Sequence, residues 1–199
     1  MKKVIIASHN EGKVKEFREM FKEFGLKVVS LRDLDFHEEI EENGSTFKEN
    51  ASIKAETIAN HFQEPVIADD SGLEIDALDG RPGIYSARYA GEEKDDEANL
   101  KKVLAEMEHV PEKDRSARFI CVLAIARPGK ETSSVEGKCE GIILHEKRGD
   151  HGFGYDPIFY LPAMGKTLAQ LEPGEKNKIS HRAKALRELR NHWSEIFYT

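Results

Sequence analysis

Two apolar periodicities divide this chain into strands and helices. Val4-Ile-Ile-Ala7 is a short β-branched run and reads as a strand. Val14, Phe17, Phe21 and Phe24 then recur at helical spacing, and Gly25 supplies a left-handed end to a helix over 14–24. Residues 26–31 read as a second strand. Thr46-Phe-Lys-Glu49 has the pattern of a capping box, opening a helix to about Phe62 with Phe47, Ala51, Ala55, Ile58 and Phe62 on its buried face. Pro65 introduces a third strand, expected to stop on Asp69-Asp70-Ser71-Gly72 and leave charge at a sheet edge, before an alternating stretch over 73–78. Asp95 or Asp96 caps a helix with Leu100, Val103, Leu104 and Met107 on one face. Residues 117–127 are apolar on both faces, as in a central strand, and Pro128-Gly129 turns them back into 132–144 as a long hairpin. Ser180 is the expected cap of a last helix, whose apolar face is Leu186, Leu189, Trp193 and Phe197.

Polar residues with chemical potential interrupt these elements. Ser8-His-Asn-Glu-Gly12-Lys13 lies between a strand and a helix, where backbone N–H groups and the positive helix end meet an anion and Lys13 adds a point charge. It is no Walker A loop, for the upstream glycine and the Ser/Thr after the lysine are missing. Asp69 and Asp70 each raise the free energy of the other's ionised form unless a cation or N–H donors neutralise them. A hard divalent ion does this while also binding phosphates, whereas the plain alternative is a solvated turn. Lys54 falls at the edge of its helix's buried stripe, where a lysine either snorkels or meets a buried anion. The acidic run 33–44 is by default a solvated face, but one of its carboxylates can equally turn inward toward the aspartates. Gly152-Phe-Gly154 flanks an aromatic ring with glycines, permitting close approach to a planar ligand. His181 and Arg182 fall in a first helical turn, where positive charge is easier to understand if an anion or base edge binds there.

Composition narrows the field. The 199 residues are 39% hydrophobic and 34% charged, as expected of an ordered, soluble protein with one domain over 1–199, or one domain with a lobe. A net charge of −7 disfavours binding to nucleic acid. No apolar run is long enough to span a bilayer and no signal peptide is evident, so no membrane association and a cytoplasmic location are expected. The two cysteines, Cys121 and Cys139, sit in no metal-spaced motif and read as reduced core thiols. Gln63 and Gln170 are the only glutamines beside abundant Lys and Glu, a weak sign of a heat-adapted source.

From the residues alone the chain reads as a metal-dependent enzyme of nucleotides or phosphates. Ser8–Lys13, Glu42–Phe47, Glu49–Ala55, Ala68–Leu73, Pro82–Gly91, Phe153–Phe159 and Ser180–Arg182, in this order, closely resemble segments of the inosine/xanthosine triphosphate pyrophosphatase family. The resemblance implies an α/β fold, an elongated mixed central sheet with flanking helices, two lobes and a cleft between them, and a homodimer. It implies that a small-molecule purine nucleoside triphosphate (ITP, dITP or XTP) is hydrolysed with Mg²⁺ to the monophosphate and pyrophosphate, clearing deaminated purines from the nucleotide pool. Carried over by position, Ser8, His9, Asn10, Glu11, Gly12 and Lys13 would hold the triphosphate, and Lys54 would contact phosphate. Glu42 and Asp70 would hold the metal, with Glu41 the competing neighbour. Asp70 would activate the attacking water, with Asp69 assisting. Ser71, Phe153, Gly154, Tyr155, Asp156, Lys176, His181 and Arg182 would bind nucleotide and base. His9 stands where some relatives carry glycine.

Three rivals are weighed against this reading. The related pyrophosphatases of dTTP and UTP fit Ser180-His-Arg182 less well. A haloacid-dehalogenase phosphatase needs Asp-x-Asp after the first strand, where this chain has Ser8-His-Asn10. A non-catalytic nucleotide-binding module gains nothing from paired aspartates that repel a triphosphate unless a metal is present.

Overall fold

A computed structural model describes residues 3–22 and 25–192. Phe24, Trp193 and Phe197, expected on helix faces, lie outside the described residues. A seven-stranded mixed sheet has the order β2-β1-β3-β4-β5-β6-β7. Its strands are β1 (Lys3–Ala7), β2 (Lys27–Ser30), β3 (Val66–Ile75), β4 (Ser116–Ala126), β5 (Ser133–Ile143), β6 (Phe159–Leu161) and β7 (Lys166–Thr167). The helices are α1 (Glu11–Lys22), α2 (Phe47–Phe62), α3 (Asp96–Glu106), α4 (Pro173–Ile179) and α5 (His181–Asn191). β1 pairs in parallel with β2 and β3, while β5–β6 and β6–β7 are antiparallel.

The chain forms two compact units: Met1–Asp70, Cys121–Gly137 and Arg182–Thr199 make the first, and Ser71–Ile120 with Lys138–His181 the second. The first has its own core, in which Phe17 and Phe21 of α1 and Leu186 and Leu189 of α5 join Val4, Ile6, Ile67, Leu123 and Ile125 of the sheet. The core of the second gathers Leu73, Ile75, Val103, Met107, Phe119, Ile158 and Phe159. Fully buried Arg115 ties its backbone together, donating from Nε to the Ile143 carbonyl at 2.6 Å, from Nη1 to Met107 at 2.6 Å and from Nη2 to Leu144 at 3.0 Å.

Three expectations are corrected. The first helix starts at Glu11 rather than Val14, because Asn10 Oδ1 accepts from the Lys13 amide at 3.0 Å and so caps it. Lys13 thereby lies in the helix's first turn. β3 does not stop at the aspartates but runs through them to Ile75, and it is interior to the sheet. β1 pairs with it only as far as Ala7–Ala68, so Asp69 and Asp70 begin where the neighbouring strand has ended. The sheet opens to the site at that point without an edge. As expected, Ser180, in extended conformation, directly precedes α5, and His181 and Arg182 take its first turn; residues 173–179 form a separate helix, α4. Finally, only half of the anticipated capping box forms: Thr46 caps the Glu49 amide at 3.1 Å, but the Glu49 carboxylate goes to the Ser45 amide at 2.6 Å and hydroxyl at 2.7 Å.

Candidate active site

In the first unit, the middle of β3, the start of α1, α2 and the loop that precedes α2 bring Lys13, Glu42, Lys54, Asp69 and Asp70 together. Asp69 is fully buried. Its Oδ1 is ion-paired with Lys13 Nζ, and its Oδ2 accepts from Arg182 Nε at 3.2 Å and from Cys121 Sγ at 3.0 Å. Burial alone would push its carboxyl up, but the Arg182 and Lys13 charges overcome that and hold it well below the usual carboxylate range. Arg182 is closed on its other side by Glu16 Oε2. Cys121, a buried thiol as expected, is pushed well up by burial and by the Asp69 charge, and it stays a donor.

Asp70, one residue on, has the opposite environment. Oδ1 lies 3.4 Å from Lys54 Nζ, while Oδ2 is buried with no hydrogen-bond partner among the described residues. Burial raises its pKa above the ordinary value; Lys54 and Lys13 work against this, and the Glu42 and Asp69 charges add to it. Lys54 is held charged. Burial opposes its charge, but Asp70 and Glu42 outweigh that and raise its pKa. Glu42 Oε2 is 2.8 Å from Lys54 Nζ, whereas Glu41 is exposed, which distinguishes the two neighbours. The inward-facing lysine anticipated from the helical period is therefore present.

An under-compensated buried carboxylate beside a second, half-buried one fits a hard divalent ion, which takes one or two carboxylates and keeps waters or phosphate oxygens elsewhere. Among the described residues no group of three or more His, Cys, Asp or Glu side chains is placed to hold a metal unaided, so this donor set would rely on water and substrate oxygens. Ser8 to Lys13 forms the adjoining loop: Ser8 Oγ accepts from the Asn10 amide at 3.2 Å, and exposed His9 lies with Nε2 3.1 Å from the Glu38 carbonyl. Glu11 and Gly12 occupy the first turn of α1.

The second unit holds the remaining residues. Lys176 Nζ donates to Asp156 Oδ2 at 2.6 Å and sits 4.7 Å from the centre of the Phe153 ring. Asp156 Oδ2 also accepts from the Phe153 amide at 3.1 Å. Gly152 is needed here twice over: its φ is +77°, and a Cβ would fall 2.0 Å from Asp156 Oδ2. Gly154, at φ +60°, donates to Asp96 Oδ2 at 2.9 Å, and the Tyr155 hydroxyl to the Ser86 carbonyl at 2.7 Å. Buried His181 stacks on Phe119 with ring centres 4.8 Å apart. Ser71 follows Asp70 on β3, half-buried.

Arg182 thus joins the carboxylate cluster of the first unit, and His181 belongs to the second. Sequence reasoning missed Glu16, Cys121 as a partner of Asp69, Gly152 as a spacer, and Asp96. Glu16 had one available signal, since Met20, four residues on, shares its buried side of α1. A cavity of about 300 Å³ in the first unit, walled by Glu56, Asn60, Arg127, Lys130 and Glu131 among others, contains none of these site residues.

A mixed sheet flanked by helices that delivers two aspartates of opposite electrostatic character beside two lysines defines the kind of protein this is, an α/β protein equipped to meet a charged ester or anhydride. A family model described as the Ham1 family matches residues 4–192, and the chain belongs to that family. It is 60% identical over 190 residues to the dITP/XTP pyrophosphatase of Oceanobacillus iheyensis, covering 95% of this chain and 96% of that one. It is 58% identical over 189 residues to the protein of the same name from Bacillus subtilis, covering 95% and 96%. The solved structure of the Staphylococcus aureus Ham1 protein superimposes with a TM-score of 0.85 at 46% identity, covering 98% of this chain and 99% of that one.

Proposed function

We propose that this protein hydrolyses non-standard purine nucleoside triphosphates (ITP, dITP and XTP) to the monophosphate and pyrophosphate, removing deaminated purines from the nucleotide pool. The observation that carries the chemistry is the buried, unpartnered Oδ2 of Asp70 beside the Lys54–Glu42 pair. A carboxylate with a raised pKa and a vacant oxygen is suited to take a proton from an attacking water near neutral pH. Lys13, Lys54 and the amides at the start of α1 supply positive potential to the phosphates and the departing pyrophosphate. Asp69, with both oxygens engaged, orients Lys13.

Glu42 and Asp70 would hold a Mg²⁺ ion, which when bound offsets their mutual repulsion and polarises the triphosphate. Phe153 would stack on the base, and the Lys176 ammonium would donate to a 6-oxo group. Adenine sets its 6-amino donor against that ammonium and is disfavoured. The names of the relatives, dITP/XTP pyrophosphatase, support dITP and XTP among these substrates.

The test is product analysis after incubation with Mg²⁺ and ITP, XTP, GTP, ATP or dTTP in turn. Pyrophosphate and monophosphate from ITP and XTP are expected. Orthophosphate as the product, or no turnover of any nucleotide, would overturn the reading. The enzyme is further proposed to act in the cytoplasm as a homodimer. Among the described residues no helix is long and apolar enough to cross a membrane. Sedimentation equilibrium is expected to give twice the 22.5 kDa of one chain, and a monomer would remove the dimer.

A further inference from the structure

We propose that Asp96 is a positioning residue for base recognition, holding the Gly154 amide and thereby the conformation of Phe153. This rests on the reading that Phe153, Asp156 and Lys176 receive the base.

Three consecutive acidic residues open α3, and each has a different partner. Asp95 Oδ1 accepts from the Ala98 amide at 2.9 Å and supplies the helix cap. Glu97 pairs with Lys147 at 2.8 Å. With the cap already provided, the Asp96 carboxylate reaches out of the helix to Gly154, fifty-eight residues away. A helix start by itself explains an acidic residue at this position. It does not explain why Oδ2 meets a loop amide.

That amide matters because of its place in the loop. The Phe153 Cα is flanked by two N–H groups, and both donate to carboxylates: its own to Asp156 Oδ2, the next to Asp96 Oδ2. Together they fix the peptide planes on either side of the ring that lies under Lys176. Nothing lies within 4 Å of a Cβ at Gly154, so its glycine is required by the positive φ alone. Asp156 is locked by burial and Lys176, whereas the Asp96 contact is exposed and adjustable. Loss of Asp96 leaves the Asp156 end of the loop in place while freeing the ring.

The experiment compares Asp96→Ala and Asp96→Asn with wild type. Asparagine keeps a carbonyl oxygen able to accept from Gly154, and alanine does not. For each protein kcat and KM for ITP are measured, with inhibition constants for IMP, which carries the base, and inorganic tripolyphosphate, which does not. Asp96→Ala is expected to raise the ITP KM and the IMP constant about fivefold, the scale of one lost hydrogen bond. Its kcat should stay within twofold and its tripolyphosphate constant should not move, while Asp96→Asn behaves as wild type. An unchanged IMP constant in Asp96→Ala, an equal rise for tripolyphosphate, or Asp96→Asn matching Asp96→Ala would each overturn the proposal. Asp96→Ser, too short to reach Gly154, serves in place of an alanine variant that fails to fold. A wild type that makes no pyrophosphate from ITP removes the functional reading itself. Turnover by wild type with identical variants removes only the role of Asp96.

Discussion

Arg182 Nε donates to Asp69 Oδ2 at 3.2 Å, and both side chains are closed to solvent. Two residues 113 apart in sequence thus form one buried charge unit, extended by Lys13 on one side and Glu16 on the other.

Arg182→Ala leaves the Asp69 charge buried with one cation fewer, a change that costs roughly 3–5 kcal/mol where a buried pair is broken. Urea unfolding should show that loss, and selectivity between ITP and ATP should change less than in His181→Ala. A variant as stable as wild type would contradict the buried pair. The pH dependence has a definite sign. Because the folded Asp69 pKa is depressed, its stabilisation is present above the unfolded value of about 3.9 and is lost as pH falls through the folded pKa. Asp69→Asn should flatten that acid limb.

Asp70→Asn should abolish turnover and leave the fold intact. The Asp70 pKa is raised, so the fold favours its neutral form, and that advantage disappears as pH rises through the folded pKa. Thermal melting at pH 7 should therefore be equal or higher in the variant, the difference closing toward pH 4. Added Mg²⁺ should raise the wild-type melting temperature and leave the variant nearly unchanged. Near-wild-type rates, or a clear loss of stability at pH 7, would remove the assigned role.

Lys54→Met takes away the cation shared by Glu42 and Asp70. With their repulsion uncompensated the Asp70 pKa rises further, so the acid limb of the kcat/KM profile should move to higher pH, with a loss of at least about a hundredfold near neutrality from the missing phosphate contact. A profile lowered uniformly, with no shift along the pH axis, would show that Lys54 acts on phosphate alone.

Gly152→Ala places a methyl group where Asp156 Oδ2 stands and imposes an unfavourable positive φ. The displaced carboxylate loses its hold on Lys176 and the Phe153 amide. KM for ITP should rise at least about tenfold, as for two disturbed hydrogen bonds, one of them charged, while tripolyphosphate inhibition stays at the wild-type value. An unchanged KM would mean that the Phe153 loop adjusts freely.

Local pattern determined much of this protein. The strand–loop–helix start, the central strand β4, the inward edge position of Lys54 and a helix start at Asp95 or Asp96 all follow from periods and caps within about twenty residues, because backbone geometry alone decides which side chains share a face. The quoted segments, taken in order, also identified the family. Tertiary structure decided the rest. Adjacent Asp69 and Asp70 are chemically identical in the sequence, and only long-range neighbours divide them: Arg182 and Cys121 make the first a buried, fully engaged anion, and the shared Lys54 leaves the second under-compensated. β3 continues through both residues, whose partners come from distant segments that no local propensity can register. For the same reason the pairing of Arg182 with Asp69 and the link from Asp96 to Gly154 were invisible. Charge compensation is a property of three-dimensional neighbours, and burial sets its strength.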